Sequence, residues 1–137
     1  MEPTDLELWE KTAEFHGHIC PGLSIGYKAA LYAKELLDLS FQDSNVAVCI
    51  SETDKCPIDA IKAAFGCNEE KNSLFVNLTG DMAFSLLNRA TGKSVRLVYK
   101  GLNAEGLDRN EMQKAIINAS HYELFAVEAV PESYSFS

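Results

Sequence analysis

Two of the three histidines and one of the four cysteines of this chain fall within five consecutive residues, His16-Gly17-His18-Ile19-Cys20. Pro21 follows and disfavours helical backbone at Cys20, pushing that residue toward the extended region. In an extended segment residues i, i+2 and i+4 point the same way, so His16, His18 and Cys20 are spaced to project from one side of a loop. Imidazole and thiolate are the donors that suit zinc and related divalent transition metals. The plainer alternative is one imidazole hydrogen-bonded locally and the other solvated.

A second thiol repeats the arrangement. Cys56-Pro57 mirrors Cys20-Pro21, and in both a cysteine precedes the proline that opens a predicted helix. A helix N-terminus carries partial positive charge and unpaired N–H groups, which stabilise a thiolate. Both sulfurs are candidates for a ligand or a nucleophile, against the alternative that cysteine is merely tolerated before proline. Asp59, the third residue of the same helix, is ordinarily a first-turn charge; it could also orient a metal-bound histidine or act as a general base. Cys67 follows the helix that Cys56 precedes. Eleven residues at about 1.5 Å each put these two sulfurs about 16 Å apart, too far to share one ion unless a second subunit intervenes. Cys49 lies in an apolar run and is expected to be an inert core residue. His121, after the fourth predicted helix, is expected to complement that helix's dipole rather than to ligate.

The elements that must position these groups follow from patterning. The capping box Thr4-Asp5-Leu6-Glu7, with Leu6, Trp9 and Ala13 at helical spacing, predicts a first helix over about 5–14. Two glycines and a proline make 15–22 a loop. Leu23, Tyr27, Ala30, Leu31, Leu36 and Leu37 predict a long helix over 22–38, closed by the polar run Gln42–Asn45. Asn45–Glu52 reads as a buried strand, and Pro57–Phe65 as a helix with proline in its first turn and Gly66 just past its end. Strands are expected at Leu74–Leu78 and Met82–Leu87, the latter turning through Thr91-Gly92-Lys93 into Ser94–Lys100 as a hairpin. Asp108 and Glu111 start a helix to about Ser120, and Leu124–Val130 is the last strand. The expected architecture is one α+β domain over 1–137, with a mainly antiparallel sheet and helices packed on it.

Composition narrows the partners. The chain has 137 residues, 47% of them hydrophobic, and 12 Lys+Arg against 20 Asp+Glu for a net charge of −8. That balance lacks the basic footprint of a nucleic-acid binder and the basic amphipathic helix of a membrane-surface protein. No apolar run approaches the roughly 18 residues of a spanning helix, and Met1–Asp5 is acidic where a signal peptide is basic. The chain is therefore expected to be cytoplasmic, with cysteines that are free, metal-bound or redox-active rather than disulfide-bonded.

Several stretches together resemble a known family. Phe15-His16-Gly17-His18-Ile19-Cys20-Pro21-Gly22-Leu23 with Gly26-Tyr27-Lys28-Ala29, Cys56-Pro57-Ile58-Asp59-Ala60-Ile61-Lys62 with Gly66-Cys67, and Ala83-Phe84 to Asn88-Arg89-Ala90-Thr91-Gly92-Lys93 are similar to the core domain of the FmdE family, named for a component of formylmethanofuran dehydrogenase. The resemblance implies a single α+β core domain, usually dimeric, with a cleft lined by the His/Cys loop and a metal site, often zinc. By position, His16, His18 and Cys20 match the first motif, and Cys56 and Asp59 the second. The family takes its name from association with the molybdenum or tungsten enzyme that makes formylmethanofuran from carbon dioxide, and many relatives occur where that pathway is absent. Such an enzyme complex is therefore one implied partner, beside a homodimer.

Two features depart from the family pattern. Some members append a cysteine-rich zinc-finger module, whereas no cysteine follows Cys67 here, so that module is not expected. The family's glycine-rich loop is replaced by Gly66-Cys67-Asn68-Glu69-Glu70-Lys71-Asn72-Ser73-Leu74, whose added carboxylates disfavour an anionic ligand there.

Three functions follow. The first is a metal-binding protein, enzyme or not, in which His18 and Cys20, helped by His16 or Cys56, hold a zinc-like ion in a cleft near a dimer interface, with Asp59 or a histidine as proton carrier. The second is a non-catalytic accessory subunit whose metal braces the loop, and the third a thiol redox protein that pairs Cys20 with Cys56.

Overall fold

Proline fixes φ near the helical value and lacks the N–H that a first turn leaves unbonded, and two helices of this protein begin on one. In the computed structural model, which describes residues 9–10, 21–39, 46–67, 70, 73–101 and 106–131, α1 spans Pro21–Leu37 and α2 spans Pro57–Phe65. They are followed by α3 (Arg109–Asn118) and the single turn α4 (His121–Leu124). The strands are β1 (Ala47–Ser51), β2 (Leu74–Val76), β3 (Ala83–Asn88), β4 (Ser94–Tyr99) and β5 (Phe125–Glu128). They form one five-stranded sheet in the order β2-β1-β3-β4-β5. Only β1 and β2 run parallel, because α2 carries the chain across between them; the other pairs are antiparallel. The fold is α+β, as the patterning implied.

Successive strand residues point to opposite faces, and one face meets the helices. Cys49, Leu74, Phe84, Leu86 and Leu97 from the sheet join Leu23, Ala30, Ala33 and Leu37 of α1, Ile61 and Phe65 of α2 and Ile116 of α3 in a single apolar core. Trp9, in the helical pair Trp9-Glu10, packs at a tilt against Tyr27 of α1, with ring centroids 5.0 Å apart and ring planes at 54°. The remainder of the expected helix over 5–14, and residues 15–20 of the expected loop, lie outside the described residues.

Helix ends are closed by identifiable bonds. Gly66 takes φ 69° and its N–H donates to the Lys62 carbonyl at 2.8 Å, ending α2 where expected. The Asp108 carboxylate accepts from the Glu111 N–H at 2.8 Å, starting α3. Asn88 ties two elements together. Its amide donates to the Leu37 carbonyl at the end of α1, 2.8 Å away, while its side-chain oxygen accepts from the Ala90 N–H at 2.9 Å and shapes the β3–β4 turn.

Several boundaries differ from expectation: the strand expected to reach Leu78 ends at Val76, and the last strand ends at Glu128 rather than Val130. Pro21 and Gly22 are already helical, so the loop ends earlier than residue 22. The helix expected to reach Ser120 stops at Asn118, because Ser120 is itself a cap: its hydroxyl accepts from the Glu123 N–H at 3.3 Å and opens α4.

On the opposite sheet face, Glu52 is buried, with 1% of its surface exposed. Arg96 of β4 donates to it twice, from Nε at 2.8 Å and Nη2 at 2.9 Å, and the Thr79 hydroxyl adds a third bond at 2.8 Å. Arg96 also reaches Glu128 of β5 at 2.7 Å. The bonds to Glu52 raise the Arg96 pKa above its already high ordinary value, so the guanidinium stays charged.

The closest helix packing is between α1 and α2. A Cβ built on Gly26 would fall 2.6 Å from the Pro57 Cα and closer still to the Pro57 carbonyl oxygen, so α1 touches α2 backbone to backbone. Gly26→Ala is expected to lower stability by about 3 kcal/mol or more, at or beyond the upper end of ordinary overpacking, measured by urea denaturation. Arg96→Met, which strands the Glu52 carboxylate, is expected to cost about 3–5 kcal/mol in the same experiment.

Candidate functional site at two helix N-termini

The α1–α2 contact places the starts of both helices side by side. One turn before Gly26, a Cβ on Gly22 would lie 3.2 Å from the Cys56 Cβ and 3.9 Å from its Sγ. Gly22 is the second residue after Cys20 in the sequence, so the contact ties the second Cys-Pro motif to the flank of the first. His16, His18 and Cys20 themselves lie outside the described residues. Cys56 and Asp59 are described, and both are half-buried.

Cys56 differs in backbone from the extended form that proline favours in the residue before it. It takes φ −48° and ψ −38° because a turn begins one residue earlier: the Ile58 N–H donates to the Lys55 carbonyl at 3.2 Å and the Asp59 N–H to the Cys56 carbonyl at 3.1 Å. These local bonds override the preference. The Cys56 side chain does not cap the helix. Asp59 sits in the first turn of α2, where its charge complements the positive helix end. Among the described residues, no three His, Cys, Asp or Glu side chains gather as a metal set.

A pocket of about 290 Å³ lies along the segment that precedes Cys56. Its wall includes Glu52, Thr53, Asp54 and Lys55, the segment that leads from β1 into Cys56, and Leu78 and Met82 face them. Glu52 and this pocket were not picked out from the sequence. The only signal was a carboxylate at the end of a buried strand; its partner Arg96 is 44 positions away.

The other cysteines are set apart by burial. Cys67, 1% exposed, donates from Sγ to the Ala47 carbonyl at 3.5 Å, and burial pushes its thiol up to about 12. Cys49 is fully buried, and burial first, then the neighbouring Cys67, raises its pKa well above the ordinary value. Cys49 is the core residue expected. Cys67 packs inside the chain's own core, which removes the subunit-bridging role considered for it.

His121 requires a correction. It does not cap α3 but opens α4, with Nδ1 3.1 Å from the Glu35 carboxylate and its ring 4.9 Å from that of Tyr32. The cation at the end of α3 is instead Lys28, whose ammonium donates to the Ile117 carbonyl at 3.0 Å.

The model of a family described as "FmdE, Molybdenum formylmethanofuran dehydrogenase operon" matches residues 15–130, a span that takes in His16, His18, Cys20, Cys56 and Asp59. The chain belongs to the FmdE family. A tungsten formylmethanofuran dehydrogenase FmdE-like protein from Syntrophus aciditrophicus, solved by crystallography, shares the fold. Its TM-score is 0.72 at 25% identity, covering 93% of this chain and 72% of that one. A curated relative from Archaeoglobus fulgidus, described as a probable S-adenosyl-L-methionine-binding protein, is 32% identical over 111 residues. That match covers 77% of this FmdE-family chain but 29% of the relative, so the chain spans less than a third of the relative's length. Among the described residues, no helix is long and apolar enough to cross a membrane.

The two buried thiols carry a pH prediction. With a folded pKa of about 12 against an ordinary value of 9.0, Cys67 helps stability below about pH 9, where both states hold the proton, and loses that contribution as pH rises toward 12. Cys49 acts in the same direction. Urea midpoints are expected to fall between pH 9 and 11, and less steeply in Cys67→Ala. At pH 8 burial keeps the native Cys67 protonated. Iodoacetamide is therefore expected to leave Cys49 and Cys67 unmodified until denaturant is added, as read by peptide mass spectrometry.

Proposed function

We propose that this FmdE-family protein is a cytoplasmic metal-binding protein that holds a zinc-like divalent ion where α1 and α2 begin, with His18 and Cys20, helped by His16 or Cys56, as ligands. The observation that carries the reading is the contact of Gly22 with Cys56. Cys20 is two peptide units from Gly22, about 7 Å of chain at most, which supports a shared locality for the two Cys-Pro thiols. Glycine at position 22 leaves that flank of the Cys56 sulfur clear, where any larger residue would place a side chain. The donors fit the group. Thiolate and imidazole suit zinc, and two helix N-termini favour the thiolate forms.

A divalent ion bound there supplies Lewis acidity, polarising a carbonyl or lowering the pKa of a bound water. Asp59, one turn into α2, is the proton carrier of this reading. The pocket walled by Glu52–Lys55, the segment that leads into Cys56, is the space this reading assigns to a small substrate. Three protein ligands would leave a coordination position for chemistry, whereas four would make the ion a brace in a non-catalytic accessory subunit. The family's operon description supports a molybdenum or tungsten formylmethanofuran dehydrogenase complex as partner, and the homodimer is retained from the family resemblance.

The deciding experiment is elemental analysis of protein purified without affinity tag or chelator. About one zinc per wild-type chain is expected, lost in Cys20→Ser and retained in Cys67→Ser. A wild type that is metal-free and takes up no added zinc would sink the proposal; rapid alkylation of both Cys20 and Cys56 in that protein would then favour the thiol redox reading.

A further inference from the structure

We infer that the outer edge of β2 takes an added strand, a basic extended segment of another protein that pairs with the backbone of residues 76–78. β2 is the last strand on its side of the sheet, and among the described residues no strand lies beyond it. Alternate residues bond it to β1: the Cys49 N–H donates to the Ser73 carbonyl at 2.9 Å, and the Asn77 N–H donates to the Ser51 carbonyl at 2.8 Å. Thr79 continues the row, its N–H 3.4 Å from the Glu52 carbonyl. The backbone groups of Val76 and Leu78, which fall between those residues, therefore point away from β1. An outward row of N–H and C=O groups is a template for another strand.

This edge is not blunted. From 72 to 80 the sequence reads Asn-Ser-Leu-Phe-Val-Asn-Leu-Thr-Gly, without a charge or a proline, the devices that commonly keep an edge strand single. The other edge strand, β5, ends on Glu128, and Pro131 follows three residues later. Leu74 is buried, so the open stretch begins at Val76, and residues 76–80 are all exposed. Val76 is 39% and Leu78 63% exposed, unusual values for large apolar side chains. Two residues apart on a strand, they stand on one face and offer an incoming strand apolar contacts at alternate positions.

Charge selects the partner. Leu78 and Gly80 share a pocket wall with the Glu52, Asp54 and Asp81 carboxylates and the Lys55 ammonium. Glu52 is held by Arg96, which also lies 3.8 Å from Asp81 and 2.7 Å from Glu128. With every one of these groups counted, four carboxylates stand against two cations, so the end of the open edge stays negative after its ion pairs are made. At the other end of the uncharged window Glu69 and Glu70 precede the single cation Lys71. A second copy of this chain, itself carrying −8, brings like charge to both ends. An extended segment with apolar residues at alternate positions and Lys or Arg at its ends meets the apolar and the acidic parts together.

The probe is the synthetic peptide acetyl-Lys-Val-Thr-Val-Thr-Lys-amide, titrated into the full chain with NMR detection. Saturable shifts of the backbone amides of residues 74–80 are expected, with a dissociation constant of about 1 mM or below. Replacing both lysines of the peptide by glutamate should weaken binding about tenfold at low salt and less at high salt. Only alternate amides of an added strand face β2, so N-methylation of both valines and N-methylation of both threonines should differ, one abolishing binding and the other sparing it. Val76→Lys should weaken the lysine peptide and strengthen the glutamate peptide, with the spectrum elsewhere unchanged. Absence of saturable shifts, equal behaviour of the two methylated peptides, or unchanged affinities in Val76→Lys would overturn the inference. So would a dimer of the free chain, seen by sedimentation, that Val76→Lys dissociates, because the edge then belongs to a second copy. Metal content is read independently, so neither result bears on the ion proposed near Cys56.

Discussion

The backbone contact of α1 with α2 is the constraint on which the rest of this protein depends. Two glycines one turn apart, Gly22 and Gly26, remove the side chains that would hold the helices apart, and Cys56 and Pro57 fill the space. The contact has an electrostatic consequence. Two helix N-termini, each with partial positive charge, are brought together. Like ends repel, so the junction favours negative charge, and Asp59 in the first turn of α2 and the half-buried Cys56 before it are described groups at hand to supply it. Close packing and the electrostatic surroundings of Cys56 are thus linked through the same two glycines.

The sheet performs a different task. It separates the cysteines by environment, so that one residue type has two behaviours in a single chain. Cys49 and Cys67 face the helices within the core, where desolvation keeps sulfur protonated. Cys56 stands beyond the carboxyl end of β1, half-buried and next in sequence to Lys55 of the pocket wall. The other face of the sheet keeps its own charge chemistry apart: Glu52, in the pocket wall, and Arg96 satisfy each other, with Thr79 and Glu128 completing their bonds. Such a pair contributes little net stability when intact, but it fixes the strand ends that lead to the pocket.

Features read correctly from the sequence were those set by neighbours along the chain. Pro57 and Gly66 bracketed α2, the apolar run around Cys49 gave β1, and Thr91-Gly92-Lys93 marked the hairpin. Asp108 with Glu111 placed the start of α3. Features that escaped depend on distant partners. Nothing local to Glu52 announces Arg96, and nothing local to Lys28 announces the Ile117 carbonyl 89 residues on. The end of α3 was misjudged because Ser120 reads equally well as a last helical residue and as a new cap. Cys56 departed from the usual pre-proline conformation because two short-range bonds from the Lys55–Asp59 turn outweighed a steric preference. Of the candidate site, the sequence supplied the residue types and their spacing. The meeting of the two helix starts is a tertiary fact that spacing could not supply.

α1 meets the rest of the protein on two sides. Its first two turns, with glycines at 22 and 26, lie on α2. Its later turns are tied to α3 and α4: the Lys28 ammonium donates to the Ile117 carbonyl at 3.0 Å, and the Glu35 carboxylate pairs with His121 Nδ1 at 3.1 Å. Lys28 is buried, and a buried ammonium without a partner is costly, so α3 is held against α1 by a charge bonded to its end as well as by apolar packing. The two sides of α1 thus rest on different physics, close backbone approach at one and a charge on a helix end at the other.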